Sequence, residues 1–379
     1  MSGKIGKSTW GVTLKMGKEA TKYCSPRILH VVSTMKIGGL ERQVYNLISV
    51  SSIENAYLVC MQDAGPFAER LEKLGYNVTV LDNSRSGIGK LWSLIQVILR
   101  VKPDIIHCHN MLAFLYGKLA AMILFNKKTV MSKHGEAFPG RKFSQKVALY
   151  LLRYTEIVVV SQAIKEKILR LVKADENRIT FIQNGIPLPG FSQQVKPADK
   201  NLVIGTVGRL AKAKRYDVLL RCFADVSQKF ENLKLIIVGG GPEAERLEEL
   251  SQKLGLSGSV SFAGEQYDVA PYYKKFDIFA MTSDTEGLPM VMLEAMSYGI
   301  PVISTDVGAI GDLFSHGENI VLAQKGDEED WTHQLQNLIK NTDLRESIGN
   351  NGRSLIVSKY SSEKSLELHN SLYSRILGN

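Results

Sequence analysis

The chain has 379 residues, 44% of them hydrophobic and 22% charged, a balance that excludes a disordered or fibrous protein and suits two α/β domains. Its net charge of +9 is uneven, with 27 basic against 13 acidic side chains in residues 1–195 and 20 against 25 in residues 196–379. Four scattered cysteines without a C-x-x-C pair argue against a disulfide framework or a cysteine zinc site, and no apolar run is long enough to span a bilayer.

Residues 1–26 carry lysines but no continuous apolar stretch, so they read as a basic extension and not as a secretory signal. Short apolar runs then alternate with helical stretches, the pattern of parallel sheets covered on both faces. In the first half, strands are expected at 28–33, 56–61, 77–81, 105–107, 129–133, 157–161 and 179–182. Helices are expected at 43–50, 67–74, 89–101 and 162–171, and residues 112–128 read as an amphipathic segment. Gly38 and Gly39 follow the opening strand, where glycine lets backbone N–H groups approach a ligand or simply makes a tight turn. His107 and His109 flank Cys108, but no third ligand follows at metal spacing, so they read as cleft lining or local packing. His134 follows a strand directly and either projects into a cleft or serves the structure; Asn184-Gly185 is a turn with the same two readings.

Residues 186–200 hold three prolines and many polar residues and read as a linker. After it the alternation restarts, with strands at 203–207, 234–238, 260–262, 278–281, 301–304 and 319–322 and helices at 218–230, 242–254, 289–298 and 362–376. Two doubly wound units imply a cleft beyond the carboxyl ends of their strands.

Three turns of the second unit carry the chemistry. Gly208–Arg215 leaves a strand with Arg209 and Lys214, a planar fork and a point charge suited to a diphosphate that gains charge as it departs. Val238-Gly239-Gly240-Gly241-Pro242-Glu243-Ala244 formally matches G-x-G-x-x-A, with Glu265 as its acidic follower, which raises a nicotinamide oxidoreductase as a rival. Ser283–Ala295 places Glu286 on a loop entering a helix, Pro289 in that helix's first turn, and Glu294 deeper inside. The helix start offers open amides to a phosphate, and the two carboxylates suit sugar hydroxyls; as isolated residues they read equally as a dipole partner and a solvent-facing Glu294.

Together, M-K-I-G-G-L-E-R, S-K-H-G-E, Q-N-G-I, V-G-R-L-A-K-A-K, V-G-G-G-P-E, E-G-L-P-M-V-M-L-E-A and G-I-P-V-I-S-T-D-V-G resemble the retaining GT-B glycosyltransferases of family four, in that family's order across roughly residues 27–315. The resemblance implies an α/β fold of two Rossmann-like domains facing a central cleft. Residues 27–190 form the acceptor domain, 191–200 the linker, 201–358 the nucleotide-sugar domain, and 359–379 a terminal helix packing back on the first domain. It implies that Arg209 and Lys214 bind the donor diphosphate, Glu286 the donor sugar and Glu294 the ribose. Backbone at Gly287, Leu288, Pro289, Met290 and Val291 meets phosphate or sugar, and Gly38 and Gly39 approach from the other domain. His134 sits beside the reacting face, and Gly240, Gly241, Glu265 and Gln266 border the base. Arg215 stands where the family commonly has Gly, and Ala309 and Asp312 replace its usual Gly and Glu.

The implied reaction moves a sugar from a UDP- or GDP-linked donor to a hydroxyl of a glycan or lipid-linked acceptor. It retains anomeric configuration, needs no cofactor and belongs to cell-surface polysaccharide synthesis. No D-x-D triplet occurs, so no metal is expected, Arg209, Lys214 and the helix start standing in for a cation. A cytoplasmic enzyme is expected, docked on an anionic membrane face through its basic half; nucleic acid is not an expected partner. A GT-B epimerase and a non-catalytic nucleotide-sugar-binding protein are the alternatives.

Overall fold

The computed structural model describes residues 26–36, 38–82, 87–125, 127–134, 143–189, 201–266, 268–286 and 288–378. The extension before residue 26, the linker at 190–200 and Gly287 lie outside them.

The first unit runs β1 (Ile28–Thr34), α1 (Gly39–Ser49), β2 (Ala56–Asp63), α2 (Gly65–Lys73), β3 (Asn77–Val80), α3 (Gly87–Val101), β4 (Ile105–Cys108), α4 (Met111–Ile123), β5 (Lys128–Lys133), α5 (Phe143–Leu152), β6 (Glu156–Val159), α6 (Gln162–Val172) and β7 (Ile179–Phe181). The second runs β8 (Leu202–Val207), α7 (Tyr216–Ser227), β9 (Leu233–Val238), α8 (Ala244–Lys253), β10 (Val260–Phe262), α9 (Ala270–Tyr273), β11 (Ile278–Met281), α10 (Met290–Ser297), β12 (Val302–Thr305), α11 (Ile310–Leu313), β13 (Val321–Ala323), α12 (Glu328–Lys340) and α13 (Thr342–Leu355). Helix α14 (Ser362–Leu377) follows.

Both sheets are parallel, in the orders β3-β2-β1-β4-β5-β6-β7 and β10-β9-β8-β11-β12-β13. This is the doubly wound arrangement, with switch points between β1 and β4 and between β8 and β11. The strands are apolar nearly throughout because helices cover both faces; Leu29, Val31, Ile106 and Met131 are fully buried, as are Leu235, Ile237 and Ile303 in the second core.

Between residues 105 and 133 the amphipathic segment expected at 112–128 resolves into α4 and β5. Asn110 caps α4 through its side chain, which accepts from the amide of Ala113 at 2.9 Å, and Phe125 ends the turn beyond it with φ 49°. Among the described residues no helix is long and apolar enough to cross a membrane.

The chain passes between the two units twice, and the passages lie side by side. Ile186 donates its amide to the carbonyl of Tyr360 at 2.7 Å, and Ser362 donates to that of Ile186 at 2.9 Å. Beyond this point α14 returns to the first sheet, where Leu372 and Tyr373 are buried with Ile28, Ile105, Val130 and Val158.

Candidate active site

Adjacent strands β8 and β11 end in two turns that are stitched together. Asp284 donates its amide to the carbonyl of Ala213 at 2.9 Å, and the hydroxyl of Thr282 donates to that of Arg215 at 2.9 Å. The 3-10 turn Lys212–Lys214 is thereby held against the loop that enters α10. Lys214 Nζ reaches Glu286 Oε1 at 2.5 Å, and Ser283 Oγ donates to the same oxygen at 2.7 Å. Glu286 is only 10% exposed at its side chain, and both bonds fall on one oxygen, which leaves accepting capacity on the other. Arg209, on the same turn as Lys214, is exposed and takes part in no ion pair among the described residues.

Arg215 adopts φ 50°, in the left-handed region, which explains why glycine suits this position. Its guanidinium is anchored instead by Asp217 and Asp284, each at 3.2 Å. Gly239 and Gly241 also have positive φ, 142° and 155°, and a Cβ on either would strike the backbone of Gly208 or Leu210. Leu210 donates its amide to the carbonyl of Gly240 at 2.8 Å. The glycine turn therefore packs under the Arg209 loop and shapes it. Gly240 also lies against Glu265, which is exposed, and Gln266 donates its side chain to the carbonyl of Ala263 at 2.7 Å.

At α10 one detail differs from expectation. Pro289 is the residue before the helix, not a member of its first turn, because its ψ of 115° is extended. Met290 and Val291 then open the helix and leave the unpaired amides that any helix start has; Leu288 immediately precedes the cap. Glu294 is not solvent-facing but 8% exposed. It accepts from the phenol of Tyr273 at 2.9 Å and from Arg42 Nη1 of α1 at 2.6 Å, so it ties the two units together. Gly38 caps α1 and Gly39 begins it. Arg42, Tyr273 and Ser283 were not singled out from sequence, although Arg42 stands within the quoted M-K-I-G-G-L-E-R.

His134 belongs to a buried histidine cluster in the first unit. Strands β1 and β4 pair in a register that sets His30 beside His107. His30 Nδ1 is bonded to His109 Nε2 at 3.0 Å, and His109 Nδ1 to His134 Nε2 at 3.4 Å. His107 spans the hydroxyls of Tyr373 and Ser132, each at 2.7 Å. Burial pushes the pKa of His30 down to about 3 and that of His134 and His369 to about 4, and lowers His107 and His109 well below 6.5. The third ligand missing along the chain after His107 and His109 is supplied by sheet register: nitrogens of His30, His107 and His109 lie within 4.8 Å of one another. Both nitrogens of His107 already hold hydroxyl partners, so the geometry is that of a hydrogen-bonded cluster.

Family comparisons agree with this architecture. Residues 190–355 match the model described as glycosyl transferases group 1, and residues 37–188 match that described as glycosyltransferase family 4. The chain is 30% identical over 254 residues to an uncharacterized glycosyltransferase of Haemophilus influenzae, covering 67% of this chain and 71% of that one. It is 29% identical over 311 residues to the capsular polysaccharide biosynthesis glycosyltransferase CapM of Staphylococcus aureus, covering 76% and 81%. Among solved structures, Anabaena HepE in complex with UDP superposes with a TM-score of 0.77 at 22% identity, over 92% of this chain and 100% of that one.

Proposed function

Because the chain belongs to the group 1 glycosyltransferases and has their two-domain GT-B fold, we propose that it transfers a sugar, with retention, from a nucleoside diphosphate to a hydroxyl of a cell-surface glycan or its lipid-linked precursor. The observation that carries this reading is the meeting of Lys214, Glu286 and the start of α10 at the ends of β8 and β11. A cation and open helix amides favour a leaving diphosphate, and a carboxylate beside them accepts from sugar hydroxyls. Arg209 on the same turn adds a second positive charge. In this scheme the departing phosphate takes the acceptor's proton, so no strong side-chain base is required, and these cations do the work of a metal. HepE has been solved with UDP-glucose, and CapM is named for capsular polysaccharide; both favour a UDP-linked donor and a surface-glycan acceptor here.

The test is a thermal-shift screen of UDP- and GDP-sugars, followed by transfer to lipid-linked acceptors and NMR assignment of the product anomer. Inverted product refutes retention, donor turnover without acceptor indicates an epimerase, and binding without turnover indicates a non-catalytic protein. Loss of activity in EDTA refutes the metal-free scheme.

A second observation bears on where the acceptor is met. Ile88, Trp92 and Leu99 lie on one face of α3 and are exposed, the first two at 83% and 56%. On neighbouring α4, Met122 and Ile123 are exposed, and Phe125 just beyond is 92% exposed. Arg100, Lys102 and Lys128, close in sequence to Leu99 and Phe125, are exposed as well. Exposed apolar side chains with cations nearby fit an anionic membrane face.

A further inference from the structure

Behind His134 lies a narrow cavity of about 20 Å³, enough for one water molecule. Its walls include Gln43 of α1, His109 and His134 after β4 and β5, Asn184 after β7, and Ser362, the first residue of α14. Gln43 Nε2, His134 Nδ1 and Ser362 Oγ are buried side-chain atoms without a hydrogen bond of good geometry among the described residues, and all three residues line this one cavity; the Asn184 side chain, which lines it too, is a polar neighbour of the His134 ring. Gln43 is 5% exposed and Ser362 1%. Leaving such atoms unpaired is costly, and a water, which needs two to four polar partners, is the smallest group that could serve all three.

We propose that this cavity is a built site for one water molecule, and that the water closes a hydrogen-bonded line of three imidazoles, His134, His109 and His30, whose tautomers must agree. The constraint follows from the donor arithmetic of a neutral imidazole, which has one N–H and one bare nitrogen. The line joins His134 Nε2 to His109 Nδ1, and His109 Nε2 to His30 Nδ1. If His134 carries its proton on Nδ1 and gives it to the water, its Nε2 must accept from His109 Nδ1–H, and His109 Nε2 must accept from His30 Nδ1–H. If the water donates to His134 Nδ1 instead, every proton sits on Nε2. The three rings are all of one form or all of the other. Burial keeps them uncharged, as the lowered pKa values of all three indicate.

Gln43, an obligate donor through Nε2, and Ser362 are thus positioning residues for His134. With one nitrogen on His109 and the other facing the cavity, His134 is a fixed neutral surface and not an acid or base. His369 lines the same cavity but stands outside the line: its Nδ1 is 2.8 Å from the carbonyl of Ser365, which can only accept, so His369 is fixed as Nδ1–H.

The experiment is a long-range proton–nitrogen correlation spectrum of the full chain at pH 7 with ¹⁵N-labelled histidine, its seven histidines assigned by single His→Gln variants. His30, His109 and His134 are expected to show the same tautomer. In Gln43→Leu, which removes the donor and fills the space, their three signals shift together toward a mixture of forms while His369 keeps Nδ1–H. Should that variant fail to fold, Ser362→Ala carries the same expectation. The proposal is overturned by opposite tautomers within the line, by signals that shift independently, or by three signals unchanged in the folded variant. Stoichiometric metal on these rings in the purified protein, measured by plasma mass spectrometry, overturns it as well.

Discussion

Arg42 of the first domain and Glu294 of the second meet at 2.6 Å across the cleft, on a carboxylate whose other oxygen takes the phenol of Tyr273. The pair is mostly shielded from water, with the arginine side chain 26% and the glutamate 10% exposed. Removing one partner strands the other charge. Arg42→Ala is expected to lower stability by about 1–3 kcal/mol and to open the angle between domains. Chemical denaturation and small-angle scattering check this; a variant as stable and as closed as the parent would show the contact to be incidental.

Lys214→Ala and Glu286→Ala are each expected to lower kcat/KM by about 10²–10³-fold, the range for losing one preorganised charge-stabilising group. Because the two side chains touch, the double variant should lose less than the product of the single losses. Steady-state kinetics on the four proteins of the cycle decide it, and multiplicative losses would mean that the pair does not act as a unit.

The buried histidines predict acid sensitivity of the fold. His30 and His369 stay uncharged in the native state down to about pH 3 and 4, because burial disfavours the imidazolium, whereas the unfolded chain takes up protons near 6.5. Between those values the unfolded state binds more protons, so stability falls as pH falls, by about 1.4 kcal/mol per pH unit for each such ring. His369→Gln should therefore flatten the dependence by about that slope in urea titrations at pH 7, 6 and 5. Parallel curves for parent and variant would contradict it.

Substituting Trp92 and Phe125 with serine is expected to weaken co-sedimentation with anionic vesicles by roughly tenfold or more for each, since a large apolar side chain contributes about 1.5–3 kcal/mol on burial. Binding should also fall with added salt. If the unsubstituted protein ignores such vesicles at low salt, the surface faces something other than lipid.

The strands of both sheets were legible because parallel strands covered on both faces must be apolar runs, and observed ends agree with expectation to within about two residues. Helices α12 and α13 were not recognised, their start signals being side-chain caps, Asp327 and Asn341, that read as loop polarity when met alone. At the site, the turns bearing Arg209, Lys214 and Glu286 could be found because each follows a strand directly. The partners of Glu294 could not: Arg42 lies in another domain, and no spacing rule connects them. The same holds for His30, whose place beside His107 is a fact of sheet register and not of sequence distance.

Helix α14 leaves the ribosome only after the whole second domain, yet Leu372 and Tyr373 complete the hydrophobic underside of the first sheet. The first of the two domains must therefore wait, with that surface uncovered, until synthesis has passed some 180 residues beyond its final strand. In that interval the uncovered surface is open to wrong contacts, and cutting the chain before Ser362 would unsettle the first domain and not the second.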